Sequence, residues 1–98
     1  MLEEDEKPKA RRQKFEKIHE NEIKALRATM ANADGRTTIY LILRSTGWDQ
    51  LSFTGNSQTF FNEGSRAVGV ALRHRLITYC REDYNRMMSE HAKDGDHV

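Results

Sequence analysis

Two glycines, Gly64 and Gly69, lie inside a segment whose apolar residues recur at helical spacing. Each glycine in a helix interior costs about 1 kcal/mol relative to alanine, so a helix keeps one mainly where another backbone approaches closely. Glu63 and Arg66 are three residues apart, share a helix face and can form an ion pair. Residues 60–69 therefore predict a helical contact surface with a charged pair, not a catalytic loop.

The pattern predicts one long helix from Ser57, a good N-cap residue, to about Ala92, roughly 54 Å in length. Its apolar residues fall on two faces. One adjoins a flank of small residues suited to close approach of another helix. The other repeats at steps of seven, as in a coiled-coil seam. Gly64 lies on the small flank with Ala67, whereas Gly69 lies apart and is expected only to ease a bend.

A small helical protomer covers one apolar face more easily than two. Self-association or packing on a larger protein would cover both apolar faces of the long helix. The alternative is that the N-terminal helix covers the second face within the protomer. Charged pairing at the first face would fix the geometry of such a contact. The residues expected to form the interface are Phe60, Phe61, Glu63, Gly64, Arg66, Ala67, Val70, Ala71, Ile77 and Tyr84.

The N-terminal third is highly charged and contains no glycine or proline between Lys9 and Ala33. Its apolar residues recur mostly at steps of three and four, which predicts a narrow amphipathic helix. Pro8 fits the first turn of that helix, and Gly35 is expected to end it in the left-handed conformation. A helix of this kind is only marginally stable in isolation and needs a packing partner.

Residues 36–46 fit two structures. They are rich in β-branched and aromatic residues, which favours a strand, and Gly55 and Asn56 could form a hairpin turn nearby. Gly47 is well placed to follow a helix end, and this favours a helix. The sequence thus predicts an all-α protein of three helices, the last one long. Residues 1–34 form a charged arm and amphipathic helix, 35–93 a helical core and 94–98 a flexible tail.

Charge is segregated along the 98 residues. Residues 36–81 carry a net charge of +4, all of their basic residues being arginine, and residues 82–98 carry −3. The whole chain is close to neutral, which argues against a dedicated, salt-driven nucleic-acid binder. Non-specific contact with DNA phosphates stays open for one cluster on the arm; a solvated helix face is the alternative. That cluster contains Lys7, Lys9, Arg11, Arg12 and Lys14.

The motifs of common enzymes and cofactor sites are missing from the sequence. No phosphate-binding glycine loop is present, and the four histidines share no zinc-ligand spacing with Cys80. A single cysteine on an apolar helix face is typical of packing and allows no intrachain disulfide. We expect no enzymatic activity, no metal and no cofactor. The acidic N-terminus is unlike a secretory signal, and the longest apolar run, residues 39–43, is too short to span a membrane.

Several short motifs coincide with those of a known family. They are Gly35-Arg36 through Leu41, Leu43, Gly47, Ser52-Phe53-Thr54, Phe61-Asn62-Glu63-Gly64 and Arg66-Ala67-Val68-Gly69. From Gly35 to about Leu76 the chain resembles the small proteins of short-tailed bacteriophages grouped under a Bordetella phage prototype.

This resemblance implies a virion-associated or assembly protein, made in the bacterial host cytoplasm and encoded near portal and capsid genes. The expected function is a structural component, internal or portal-associated, that binds other copies of itself, the portal or other virion proteins. A DNA-contacting packaging or ejection factor and a phage regulator of a host enzyme are the alternatives. The resemblance supplies no catalytic or binding residues.

Overall fold

The computed structural model describes residues 2–50 and 58–93, without the side chains of residues 2–6 and 60. Within these ranges every element of regular secondary structure is an α-helix, which confirms the all-α prediction. The described residues form four helices rather than the three expected. They are α1 (Leu2–Met30), α2 (Ala33–Ser45), α3 (Gln58–Tyr79) and α4 (Arg81–Glu90).

The predicted long helix is two helices, because the chain leaves helical conformation at Cys80, where φ is −141° and ψ is 42°. The hydrogen bonds continue through this residue. Its N–H donates to the Leu76 carbonyl at 2.7 Å, and its own carbonyl accepts from the Tyr84 N–H at 2.7 Å. Tyr84 and Met87, which follow the break, are buried in the core, whereas the sequence pattern suggested one continuous helix.

Gly35 does not end the first helix, so that prediction is wrong. Helix α1 ends at Met30, and Asn32 caps α2. The Asn32 side-chain oxygen accepts hydrogen bonds from the N–H groups of Asp34 at 2.7 Å and of Gly35 at 3.3 Å. A Cβ on Gly35 would overlap the backbone carbonyl of Thr29. The glycine therefore lets the first turn of α2 close against the last turn of α1.

Residues 37–45 are helical, which settles the choice between helix and strand. Thr46 is the C-cap of α2, and Gly47 follows with φ of 66°, as its predicted place at the helix end requires. Trp48 then packs against the core. The expected turn at residues 55–56 and the Ser57 cap lie outside the described residues.

The core takes side chains from all four helices. Met30, Leu43, Leu76 and Met87, one from each helix in order, are fully buried. Cys80 and Tyr84 complete the cluster.

Most of α1 projects beyond this core. All side chains from residue 7 to residue 22 are exposed. The radius of gyration is 18.0 Å, against about 13 Å for a compact domain of this length. Among the described helices, none combines the length and apolarity that crossing a membrane demands.

Candidate interaction surfaces

Helix α3 has an uncovered apolar face opposite the core. Leu76 and Gly69 point inward and are buried. On the opposite side the small residues are exposed, and larger apolar side chains flank them: Phe61 is 70% exposed and Val68 64% exposed. We call this surface the outer face; it comprises Phe61, Gly64, Ala67, Val68, Val70 and Ala71, all of them exposed.

The two glycines of α3 have opposite surroundings. A Cβ on Gly69 would overlap the side chain of Thr46 and approach the Cβ of Trp48 to 2.8 Å. Gly69 therefore permits close packing of the turn after α2, and the expectation that it only eases a bend is wrong. A Cβ on Gly64 would meet no atom of the described residues within 4 Å. The open space at Gly64 belongs to the outer face.

The C-terminal part of the predicted coiled-coil seam is mostly buried rather than exposed at the surface of the protomer. Tyr84 is 6% exposed and belongs to the core, and Ile77 packs against that core. Tyr84 is therefore not exposed to a partner as the sequence predicted, because it belongs to the core of the protomer, whereas Ile77 is half-buried and its interface role remains a prediction. Of the other predicted residues, Glu63 is exposed and Arg66 half-buried, and their pairing remains a prediction. The side chain of Phe60 lies outside the described part.

A charged pair that the sequence did not indicate joins α2 to α4. Arg36 donates from Nε to Glu90 at 2.8 Å and from Nη2 at 3.0 Å, and its Nη1 donates to the Met30 carbonyl at 3.0 Å. The hydrogen bond from Arg36 lowers the pKa of the Glu90 carboxyl below its ordinary value. No spacing rule predicts a pair 54 residues apart in sequence.

Arg73 holds the turn after α2 in place. Its guanidinium carbon lies 4.9 Å from the centre of the Trp48 ring. Its Nε donates to the Tyr84 hydroxyl at 2.9 Å. Because Trp48 and Thr46 belong to the same turn, this contact helps to seat that turn against Gly69.

A cleft of about 250 Å³ separates α1 from α3 near the C-terminal end of the outer face. The ring of His19 packs edge-on against Tyr79 close by, with ring centres 5.8 Å apart. We call this the α1–α3 cleft; its lining residues are His19, Glu22, Leu26, Leu72 and Arg75.

The projecting part of α1 is strongly basic. Residues 7–17 contain six basic residues against Glu16 alone, a net charge of +5. All of these side chains are exposed, and so is Phe15, at 77%. The predicted cluster from Lys7 to Lys14 therefore lies on an accessible helix.

The described residues hold no group of three or more histidine, cysteine or acidic side chains placed to bind a metal ion. Cys80 is buried, and desolvation raises the pKa of its thiol. A raised pKa leaves less of the reactive thiolate at neutral pH. The surroundings of Cys80 are thus those of a packing residue.

No curated protein and no solved structure matches this chain. The family model described as Bbp19-like phage protein matches residues 26–89. The match runs from the last turn of α1 to the end of α4, so it includes the core, the outer face and the Arg73 contacts, and it extends the resemblance noted for Gly35 to Leu76 on both sides. It covers more than half of the chain, which therefore belongs to the family of Bbp19-like phage proteins.

Proposed function

We propose that this chain is a structural or assembly component of a short-tailed phage particle, internal or portal-associated, and that it acts by packing helices at the outer face of α3. The observation that carries the proposal is the uncovered apolar surface of that helix. Membership of a phage protein family supports the setting.

The outer face has the properties of a contact surface. Exposed apolar patches on a small protein mark sites of interaction, and burying a side chain such as Phe61 or Val68 contributes about 1.5–3 kcal/mol. The residues between them have short side chains, so that a second helix can lie close to the α3 backbone.

Gly64→Leu tests this role. A Cβ at Gly64 meets no described atom within 4 Å, so helical content and thermal stability should stay near wild type while incorporation into particles is lost. Lys24→Leu places the same side chain at an exposed site on α1 and should leave incorporation unchanged. Normal incorporation of Gly64→Leu would contradict the proposal.

A second candidate function, contact with packaged DNA, is favoured by the basic arm of α1. Neutralising three phosphate contacts would reduce the slope of log affinity against log salt by about 2.7. The triple variant Arg11→Gln, Arg12→Gln, Lys14→Gln should show this loss in binding to a random duplex. The control triple Lys24→Gln, Arg81→Gln, Lys93→Gln removes the same charge from exposed sites elsewhere and should bind as wild type does.

A further inference from the structure

We propose that the outer face of α3 packs against the same face of a second copy of this chain, with the two helices antiparallel and Val68 at the two-fold axis. This inference rests on the proposed function, because it names the partner of that surface. A two-fold axis makes the contact self-complementary, so every pairing occurs twice.

Small residues interleave in this arrangement. Gly64, Ala67 and Ala71 follow one another along the middle of the outer face. An antiparallel copy centred on Val68 places its Ala71 between Gly64 and Ala67, and its Ala67 between Ala67 and Ala71. Side chains of this size let two helix axes approach to the short end of the usual 8–10 Å range. A parallel copy in register would set equivalent residues against each other instead.

Phe61 of one copy meets the α1–α3 cleft of the other. Phe61, Val68 and Arg75 recur at steps of seven and so share one flank of α3. With Val68 on the axis, the exposed Phe61 ring of each copy lies beside Arg75 of the other. Arg75 borders the cleft of about 250 Å³, whose lining includes Leu26 and Leu72. The ring thus gains an apolar recess and a guanidinium that can stack on its face.

A pair of polar side chains on the opposite flank, Glu63 and His74, agrees with the antiparallel direction because the two can form a hydrogen bond. Glu63 lies five residues before Val68 and His74 six residues after it, so the two-fold axis brings them within about one residue, or 1.5 Å, of each other along the helix. In a parallel two-fold pair opposite flanks meet, so Glu63 would face the apolar flank that carries Phe61 and Val68 rather than His74. An exposed pair of this kind changes a dissociation constant by about two- to fivefold, so it sets direction more than affinity.

Light scattering across the micromolar range tests whether the copies associate. The wild-type mass should rise from 11.4 kDa towards twice that value with concentration. Phe61→Ser should raise the dissociation constant at least about tenfold, since buried aromatic anchors dominate interfaces. Leu41→Ser removes an exposed apolar side chain from α2 and should leave association unchanged. A wild-type mass fixed at 11.4 kDa would overturn the proposal.

A short thiol-to-thiol crosslinker tests the direction of packing. Val68→Cys should give a covalent dimer. Thr78→Cys, also exposed on α3, should not, because the two Thr78 positions would lie about 30 Å apart. The wild type, with Cys80 buried, supplies the background, and circular dichroism checks that both variants fold. Crosslinking at Thr78, or its absence at Val68, would overturn the antiparallel arrangement.

The two proposals fail separately. A chain that is monomeric in solution yet incorporated into particles would remove the second copy as partner and leave the virion role intact. A chain that dimerises through Val68 yet is absent from particles would contradict the virion role and leave the second copy as the partner of the outer face.

Discussion

Arg36 and Glu90, which lie in α2 and at the end of α4, are joined by two hydrogen bonds of 2.8 and 3.0 Å. The third guanidinium nitrogen of Arg36 donates to the Met30 carbonyl at the end of α1. One buried side chain thus ties together α1, α2 and α4. Such bidentate, charge-assisted pairs are geometrically specific, and this one fixes the end of α4 after the chain has turned at Cys80.

Glu90→Gln should lower the free energy of unfolding near neutral pH, because it removes the charge that Arg36 binds. The hydrogen bond from Arg36 lowers the pKa of Glu90 in the folded protein from its ordinary 4.5. The stabilisation is therefore present above pH 4.5 and is lost as the pH falls through the lowered folded pKa.

Urea unfolding at pH 7 and at pH 3 measures this effect. The stability of wild type and Glu90→Gln should differ at pH 7, and the difference should be smaller at pH 3. Asp83→Asn serves as the control, since the Asp83–Arg86 pair is 3.9 Å long and Arg86 is exposed. A difference between wild type and Glu90→Gln that does not change with pH would contradict the assignment.

Gly69→Ala and Gly64→Ala should change stability in opposite directions. A methyl group at Gly69 overlaps Thr46 and Trp48, so we expect a loss of about 1–3 kcal/mol from overpacking. The same change at Gly64 meets open space and should stabilise α3 by up to about 1 kcal/mol. Denaturant titration of the two variants gives the comparison, and equal effects would show that the assigned packing is incorrect.

Arg73→Met should destabilise the protein and shift the fluorescence of Trp48, the sole tryptophan, to the red. The variant loses both the guanidinium over the indole ring and the donor to the Tyr84 hydroxyl. Tyr84→Phe removes only the hydrogen bond and should cost about 0.5–1.5 kcal/mol with little change in emission. Identical spectra for wild type and Arg73→Met would refute the contact.

Cys80 should react slowly with Ellman's reagent in the native protein. It is buried, and desolvation raises its pKa, so both access and thiolate population are reduced. Labelling should become fast and complete in denaturant. Rapid stoichiometric labelling of the folded chain would place the thiol at the surface instead.

Local signals predicted the helices better than their junctions. Gly47 marked the end of α2 because a left-handed residue there has a strong sequence preference. The break at Cys80 carries no glycine or proline, so no local sequence signal marks it. Gly35 was misassigned because an Asp-Gly pair resembles a helix stop, whereas Asn32, three residues earlier, provides the cap.

The outer face of α3 could be derived from helical periodicity, since residues such as Phe61 and Ala71 belong to one helix. The Arg36–Glu90 pair and the α1–α3 cleft could not, because each joins residues about 50 positions apart in the sequence. Helical periodicity also could not tell which of the two α3 glycines faces the core. Only the position of the turn at Thr46 decides that.

Mass spectrometry of gradient-purified particles of the phage that carries this gene tests the central claim most directly. The account predicts peptides of this chain in the particle fractions, at a constant ratio to the portal protein across the gradient peak. Their absence from those fractions, with the chain present in the infected-cell lysate, would contradict a structural role and favour a regulatory one.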